Sequence, residues 1–132
     1  MPKATQLSLK LDNQIGTLAR LCRDLARGGV NVLSLSAPET DGATGTVRLL
    51  VVNRQLAEHA LTRAGYTYTV EDVLFVELKN RPGALAKAVE KLAAGGIAIR
   101  YAYVTAHIRA RKTAAVIAPE QKHLDAAVRL LG

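Results

Sequence analysis

The sequence is poor in cysteine and in aromatic residues. Cys22 is its one cysteine, tryptophan is absent, and 132 residues include one phenylalanine and four tyrosines. An intrachain disulfide is therefore excluded, and the core must be built from aliphatic side chains. Cys22 lies between Leu21 and Leu25 in a segment of helical periodicity. We expect its thiol to be buried as a small apolar side chain.

Long hydrophobic runs are also missing. No apolar stretch approaches the roughly 18 residues that a membrane-spanning helix requires. The segment 1–6 (MPKATQ) lacks the apolar region of a signal peptide. From these two absences we expect a cytoplasmic protein that has no membrane partner.

Patterns that carry catalysis or bind metals are missing too. The three histidines, His59, His107 and His123, are far apart and have no ligand spacing. A single cysteine cannot form the Cys/His cluster of a structural zinc site. The phosphate-binding pattern Gly-x-x-x-x-Gly-Lys-Ser/Thr and the nucleophile pattern Gly-x-Ser-x-Gly are both absent. We therefore expect a protein that is not an enzyme and that uses no cofactor and no metal.

Positive charge is in excess, mainly in the second half of the chain. The net charge is +7, with 8 basic and 6 acidic groups in residues 1–71 and 10 and 5 in residues 72–132. A basic surface can attract nucleic acid or a small anion, but it is also a common solvated surface. Charge alone therefore does not decide the function.

RNA binding is a minor alternative, because RNA-binding modules share the chain order derived below. Those modules stack bases on aromatic side chains of the sheet. Here Phe75 is isolated, although the pairs Tyr66/Tyr68 and Tyr101/Tyr103 could each line one face of a strand. The basic run 107–112 (HIRARK) is interpreted as a solvated hairpin, so nucleic acid is an unlikely partner.

The chain contains an internal repeat with an offset of 67 residues. Residues 7–65 align with residues 74–132 without a gap, with 14 identities in 59 positions. The aligned residues include those at the predicted loops and helix ends and one in the apolar stripe of the helix: Asn13 with Asn80, Gly16 with Gly83, Leu25 with Leu92, and Gly28-Gly29 with Gly95-Gly96. Chance does not easily give this pattern, so we interpret it as a duplication.

Each copy predicts the same series of elements. An alternating strand (7–11) precedes a helix with an apolar stripe (18–26), and the glycine pair then ends that helix. Two further strands, a second helix and a last strand follow. This order predicts an α+β protein of two tandem ferredoxin-like (βαββαβ) units, residues 1–71 and 72–132, each with helices on one face of an antiparallel sheet.

The second copy is predicted to lack its last strand. The first copy continues into a strand at 66–71, whereas the second ends at residue 132. The strand 73–79 would then have an unpaired edge, and exposed apolar edges recruit other chains. We expect either a second subunit at this edge, which would give a homodimer, or a sequence trimmed at its end.

The loop between the first strand and the first helix has the shared pattern Asn-x-x-Gly-x-Leu. It creates a helix N-terminus with free backbone N–H groups and a positive dipole end, which suits a carboxylate. Gly16 and Gly83 would let a ligand approach the backbone, and Asn13 and Asn80 could contact an ammonium group. A purely structural role is the alternative, because asparagine often caps helices and glycine often makes turns.

The segment 80–86 (NRPGALA), followed by Gly95-Gly96-Ile97, resembles the signature of the ACT domain. The first copy matches at Asn13, Gly16 and Leu18 but departs at 14–15, where Arg-Pro is usual. The resemblance covers nearly the whole chain and is similar to the stand-alone tandem ACT proteins of bacteria. It implies a regulatory sensor that binds an amino acid or a similar small carboxylate.

In the resembling family, units pair side by side and hold the effector between the first loop of one unit and the second strand of its neighbour. Carried over by position, the candidate ligand-binding residues are Asn13, Gln14, Ile15, Gly16, Thr17, Asn31, Val32, Asn80, Arg81, Pro82, Gly83, Ala84, Ala98 and Ile99. Asn31 aligns with Ala98, so the two sites need not be equivalent. The alternative within this resemblance is a non-catalytic regulatory subunit that docks on an amino-acid biosynthetic enzyme.

Overall fold

The computed structural model describes residues 3–132, which form two compact units. Residues 5–71 form the first unit, and residues 72–132 form the second together with Lys3 and Ala4. Met1 and Pro2, which begin the segment expected to carry no signal peptide, lie outside the described residues. Among residues 3–132, no helix is both long enough and apolar enough to cross a membrane.

The first unit has the order strand, helix, strand, strand, helix, strand. Its elements are β1 (Lys3–Asp12), α1 (Thr17–Arg27), β2 (Val32–Ser36), β3 (Thr44–Val51), α2 (Arg54–Arg63) and the start of β4 (Tyr68–Lys79). The strand order is β2-β3-β1-β4, and β3 runs antiparallel to both β1 and β2. Leu7 and Leu9 alternate along β1 onto one face, where they pack in the core with Leu21 and Leu25 of α1.

The second unit repeats this arrangement. Its elements are the rest of β4, α3 (Ala84–Ala94), β5 (Ile99–Thr105), β6 (Lys112–Pro119), a 3-10 turn (Gln121–His123) and α4 (Leu124–Leu131). The strand order is β1-β4-β6-β5, with β6 antiparallel to β4 and β5. α3 begins and ends 67 residues after α1. The predicted tandem ferredoxin-like fold is confirmed.

The two helices of each unit approach closely at a glycine. A Cβ atom added at Gly28, just after α1, would lie 2.6 Å from the Cβ of Ala60 in α2. The corresponding Cβ at Gly95 would meet the side chain of Leu130 in α4. The first contact is with a short side chain fixed to the backbone, whereas the second is with the end of a flexible one.

β4 differs from the sequence prediction. We predicted two strands, 66–71 and 73–79, but one continuous strand runs from Tyr68 to Lys79, because the residues between contain no glycine or proline to turn the chain. No strand follows α4 before Gly132, as predicted. On the side opposite β6, the neighbour of β4 is β1, which begins at Lys3. Lys3 Nζ lies 3.9 Å from Asp72 Oδ2 there.

The buried stripe of α1 is narrower than predicted. Leu21 and Leu25 are buried, but Cys22 is exposed and Leu18 is partly exposed. A short helix that contacts one face of a sheet buries one row of side chains spaced four apart, and Cys22 lies beside that row. The predicted burial of Cys22 is therefore wrong.

Candidate functional site

The side chain of Asn13 ties the loop after β1 to the turn between β2 and β3. Its Nδ2 donates to the carbonyl oxygens of Thr40 at 3.4 Å and of Gly42 at 3.2 Å. Its backbone N–H donates to the carbonyl of Ala43 at 2.8 Å. The loop and the turn are thereby held together by three hydrogen bonds from one residue.

Asn80 makes the same connection in the second unit. Its Nδ2 donates to the carbonyls of His107 at 3.3 Å and Ala110 at 2.8 Å, and its backbone N–H donates to Arg111 at 2.8 Å. The amide donors of both asparagines are thus committed to the turn, and neither side chain caps the following helix. The amide oxygen is the atom that each asparagine can still offer to an ammonium group.

A glycine in the left-handed conformation opens each of the two helices. Gly16 and Gly83 both have φ of 90°, and a Cβ atom at either position would have no heavy atom within 4 Å. The backbone conformation therefore demands glycine, while the space above it stays open. The N-termini of α1 and α3 carry no side-chain cap. The N–H groups of Thr17 and Ala84 donate to carbonyls of their own loops, so the N–H groups of the next two residues of each helix can face a ligand.

The residues around each glycine differ between the two loops. Thr17 Oγ1 lies within hydrogen-bond distance of the carbonyls of Asp12 (2.8 Å) and Gln14 (3.1 Å), whereas Ala84 has no hydroxyl to do so. Gln14 is exposed, and Ile15 projects fully into solvent with a relative exposure of 106%. Their counterparts Arg81 and Pro82 are also exposed. The first loop is therefore better fixed and apolar at its tip, and the second is cationic.

A small cleft lies beside the first loop. Its volume is about 120 Å³, and Asn13 and Thr17 are the predicted ligand-binding residues that line it, together with Leu18 and residues of the β2–β3 turn. Small-molecule pockets usually measure about 300–1,000 Å³. The cleft could therefore hold only part of an effector, and a further wall is needed to enclose one.

The candidates on the second strand do not line this cleft. Asn31 is exposed just before β2, and Ala98 is exposed just before β5. Val32 and Ile99 are half-buried and pack against the cores of their units. A shift in strand pairing follows each of them, between Val32 and Ser34 and between Ile99 and Tyr101.

Two tyrosines that could have lined a base-stacking surface, under the RNA-binding alternative, pack on the core of the first unit. Tyr66 donates to Asp24 at 2.8 Å and Tyr68 donates to Glu58 at 2.9 Å. Burial, and then the hydrogen bond to Asp24, raises the pKa of Tyr66 to about 12. These residues fix the last strand to both helices, a role for which the sequence holds no local signal. They leave no aromatic pair for RNA in this unit.

Comparison with known proteins agrees with this architecture. The sequence profile of the ACT domain pair matches residues 3–117. Protein BT0572 from Bacteroides thetaiotaomicron is 31% identical, with a TM-score of 0.86 over 98% of this chain and 87% of that one. The ligand-free regulatory subunit of aspartate kinase from Thermus thermophilus is 20% identical, with a TM-score of 0.69 over 99% of this chain and 95% of that one.

The regulatory subunit of aspartate kinase from Thermus flavus gives a similar result. It is 19% identical, with a TM-score of 0.63, and covers 99% of this chain and 95% of its own. At this level of identity the two Thermus proteins share the fold. No curated protein matches the chain.

Proposed function

Because the chain belongs to the family of ACT domain pairs, we propose that it is a non-catalytic regulatory protein that binds an amino acid through the loops after β1 and β4. ACT domains are regulatory and generally bind amino acids. One observation carries the proposal for these loops. Each helix begins at a left-handed glycine with open space above it and with no side-chain cap on its N–H groups.

The chemistry of the loops suits a zwitterion. The α-carboxylate would accept hydrogen bonds from the second and third N–H groups of α1 or α3, at the positive end of the helix dipole. The ammonium group would donate to the amide oxygen of Asn13 or Asn80, since their amide donors are engaged with the turns. The apolar tip at Ile15 favours an aliphatic effector side chain, whereas Arg81 favours one that carries a second carboxylate.

A neighbouring ACT unit would complete each site. The cleft at the first loop is small, about 120 Å³, so a second surface must cover the effector. We assign that surface to the second-strand positions Asn31 and Val32, or Ala98 and Ile99, of a neighbouring unit in a cytoplasmic homodimer. Asn31 offers a polar side chain where Ala98 has none, so the two kinds of site would differ in affinity.

A thermal-shift screen of the protein against the twenty amino acids tests the proposal. An effector present at 100 times its dissociation constant should stabilise the folded state by about 2.7 kcal/mol. Gly16→Val and Gly83→Val should each abolish the shift that depends on its own loop, because valine forces the left-handed turn to rearrange and covers the open backbone.

Gly65→Val is the matched control. Gly65 has φ of 86°, and a Cβ atom there would also have nothing within 4 Å. It lies after α2 and does not line the cleft at the first loop, so this variant carries the same backbone strain and should keep the full effector shift. A screen in which no amino acid raises the melting temperature would overturn the proposal.

A second candidate function is that of a regulatory subunit for a separate catalytic chain. The Thermus thermophilus regulatory subunit of aspartate kinase has this fold over 95% of its own length, so a free chain of this size and fold acts as a subunit there. Affinity purification of the tagged protein from its native lysate tests this function. Recovery of an amino-acid biosynthetic enzyme, released or retained according to the effector present, is the expected result.

A further inference from the structure

A groove runs beside α3 and the edge of β4 in the second unit. Its volume is about 250 Å³, and four consecutive residues of β4, Val76–Lys79, line it. Successive side chains of a strand point to opposite faces of the sheet, so contact with all four places the groove along the strand edge. β1 borders β4 at the other end, where Lys3 reaches Asp72.

The groove has an apolar floor. Val76, Leu78 and Leu131 line it and also pack against the core of the second unit. Ala84 and Ala88 of α3 add small apolar side chains to the helix side. An extended segment could bury apolar side chains against this floor.

The rim of the groove is strongly basic. Lys79, Arg81, Lys87 and Lys91 line it and are exposed. The groove's one carboxylate, on Glu77, lies 3.7 Å from Lys112. Within residues 3–132, no carboxylate forms an ion pair with any of the four rim cations. An occupant with negative charge would relieve their mutual repulsion.

The corresponding place in the first unit carries no net charge and is partly covered by Tyr66. Shifting the five charged positions by 67 residues gives Lys10, Asp12, Gln14, Arg20 and Asp24, two basic and two acidic side chains. Tyr66 packs on the core there, and its hydroxyl donates to Asp24, the counterpart of Lys91. In the first unit, therefore, the chain that leads into β4 occupies this part of the fold.

We propose that the groove of the second unit binds an extended acidic segment of a partner protein, laid along Val76–Lys79. The segment would add to the strand edge through main-chain hydrogen bonds, and its carboxylates would pair with Lys87 and Lys91. Nucleic acid fits less well, because no aromatic side chain lines the groove for base stacking. The groove shares Arg81 and Ala84 with the second loop, whereas Lys87 and Lys91 lie outside both loops.

Fluorescence anisotropy with a labelled octapeptide of residues 65–72 (GYTYTVED) tests the proposal on the full chain. This peptide is the strand-forming segment of the first unit and ends in two acidic residues. Binding should be saturable at low ionic strength and should weaken about five-fold or more in 0.3 M salt, because exposed charge pairs are screened. The peptide changes Thr67→Pro and Thr69→Pro should abolish binding, since proline cannot donate to a strand ladder.

The double variant Lys87→Glu/Lys91→Glu should weaken peptide binding about ten-fold or more. Arg23→Glu/Arg27→Glu is the matched control, with the same charge change at the same spacing on the exposed face of α1, and it should lose far less. The proposal would be overturned if Lys87→Glu/Lys91→Glu bound the peptide as tightly as the wild type does. Unchanged affinity for a peptide with the changes Glu71→Lys and Asp72→Lys would overturn it too. Two further results would overturn the proposal. One is that a short single-stranded RNA binds more tightly than the acidic peptide, and the other is that the protein is a homodimer which becomes monomeric in Lys87→Glu/Lys91→Glu but not in the control variant.

Discussion

The hydroxyl of Tyr66 donates a hydrogen bond to Oδ2 of Asp24 over 2.8 Å. This bond joins the chain just ahead of β4 to the middle of α1, across 42 residues of sequence. Burial is the main reason why the pKa of Tyr66 rises to about 12, and the hydrogen bond to Asp24 adds to it. The second unit has Lys91 in place of Asp24, so its helix offers no such acceptor.

Tyr66 should make the protein sensitive to alkaline pH. Its pKa is 10.0 in an unfolded chain and about 12 in the folded one, so the folded state holds the phenol proton more tightly. The stabilisation is complete below pH 10 and is lost as the pH rises from 10 towards 12. Urea denaturation at a series of pH values should show a smaller alkaline loss for Tyr66→Phe than for the wild type.

At pH 8 the same Tyr66→Phe variant should be less stable by about 1–2 kcal/mol, since a hydrogen bond to a charged group is removed. A double-mutant cycle with Asp24→Ala isolates this bond from other effects of each change. If the two losses simply add, the Tyr66–Asp24 bond does not contribute.

Removing the asparagine side chain should loosen the turn to which it is tied. Asn13→Ala removes two hydrogen bonds to the β2–β3 turn, at a cost of about 0.5–1.5 kcal/mol each at most, because the site is exposed. Hydrogen exchange in residues 40–45 should accelerate, and Asn80→Ala should have the same effect on residues 107–111. Asn13→Asp keeps an acceptor oxygen but loses the donor, so it should loosen the turn equally. If hydrogen exchange in these turns were unchanged in all three variants, the hydrogen bonds from the asparagine side chains would not hold the turns in place.

Alanine should be tolerated differently at the two equivalent glycines between helices. At Gly28 the new methyl group would lie 2.6 Å from the Cβ of Ala60, so α1 and α2 must move apart, at a cost of about 1–3 kcal/mol. At Gly95 it meets the end of the partly exposed Leu130 side chain, which can rotate away. Differential scanning calorimetry should therefore give the lower melting temperature for Gly28→Ala, and the reverse order would contradict this packing.

Cys22 should react in the native state. Its side chain is exposed on α1, so a thiol reagent such as 5,5′-dithiobis(2-nitrobenzoic acid) should modify it without denaturant. The rate should be within about ten-fold of that of an unfolded control, since an exposed thiol is accessible to the reagent in both states. If the thiol reacted only in urea, Cys22 would be buried, as the helical pattern predicted, and its exposure on α1 would be contradicted.

Most of the helices and strands could be predicted from local patterns in the sequence. Strand alternation, helix stripes and glycine pairs act within a few residues, and the duplication repeated each of them, so Gly16 and Gly83 share the same φ of 90°. Non-local features escaped prediction. The amides of Asn13 and Asn80 are bound to turns about 30 residues away, and nothing near either asparagine in the sequence identifies those carbonyls.

The same reason explains the other errors. Residues 69–72 contain no chain-turning glycine or proline, but only the pairing of a strand with its neighbours shows that β4 runs through them. The burial predicted for Cys22 assumed that α1 buries a wide face against the sheet. The buried face is narrower than the helical periodicity indicates, so Cys22 is exposed. The candidate positions before the second strand, Asn31 and Ala98, are exposed and do not line the cleft at the first loop, and no local pattern in the sequence describes what they contact.

The ties from Asn13 and Asn80 have a mechanical consequence. Each loop and its turn form one piece, joined by hydrogen bonds from a single side chain and its backbone. A force applied to the loop is passed directly to a hairpin tip that is distant in sequence. In the second unit that tip carries Ile108, which is 90% exposed. Any displacement of the second loop should therefore also displace Ile108, because Asn80 bonds to residues on both sides of it.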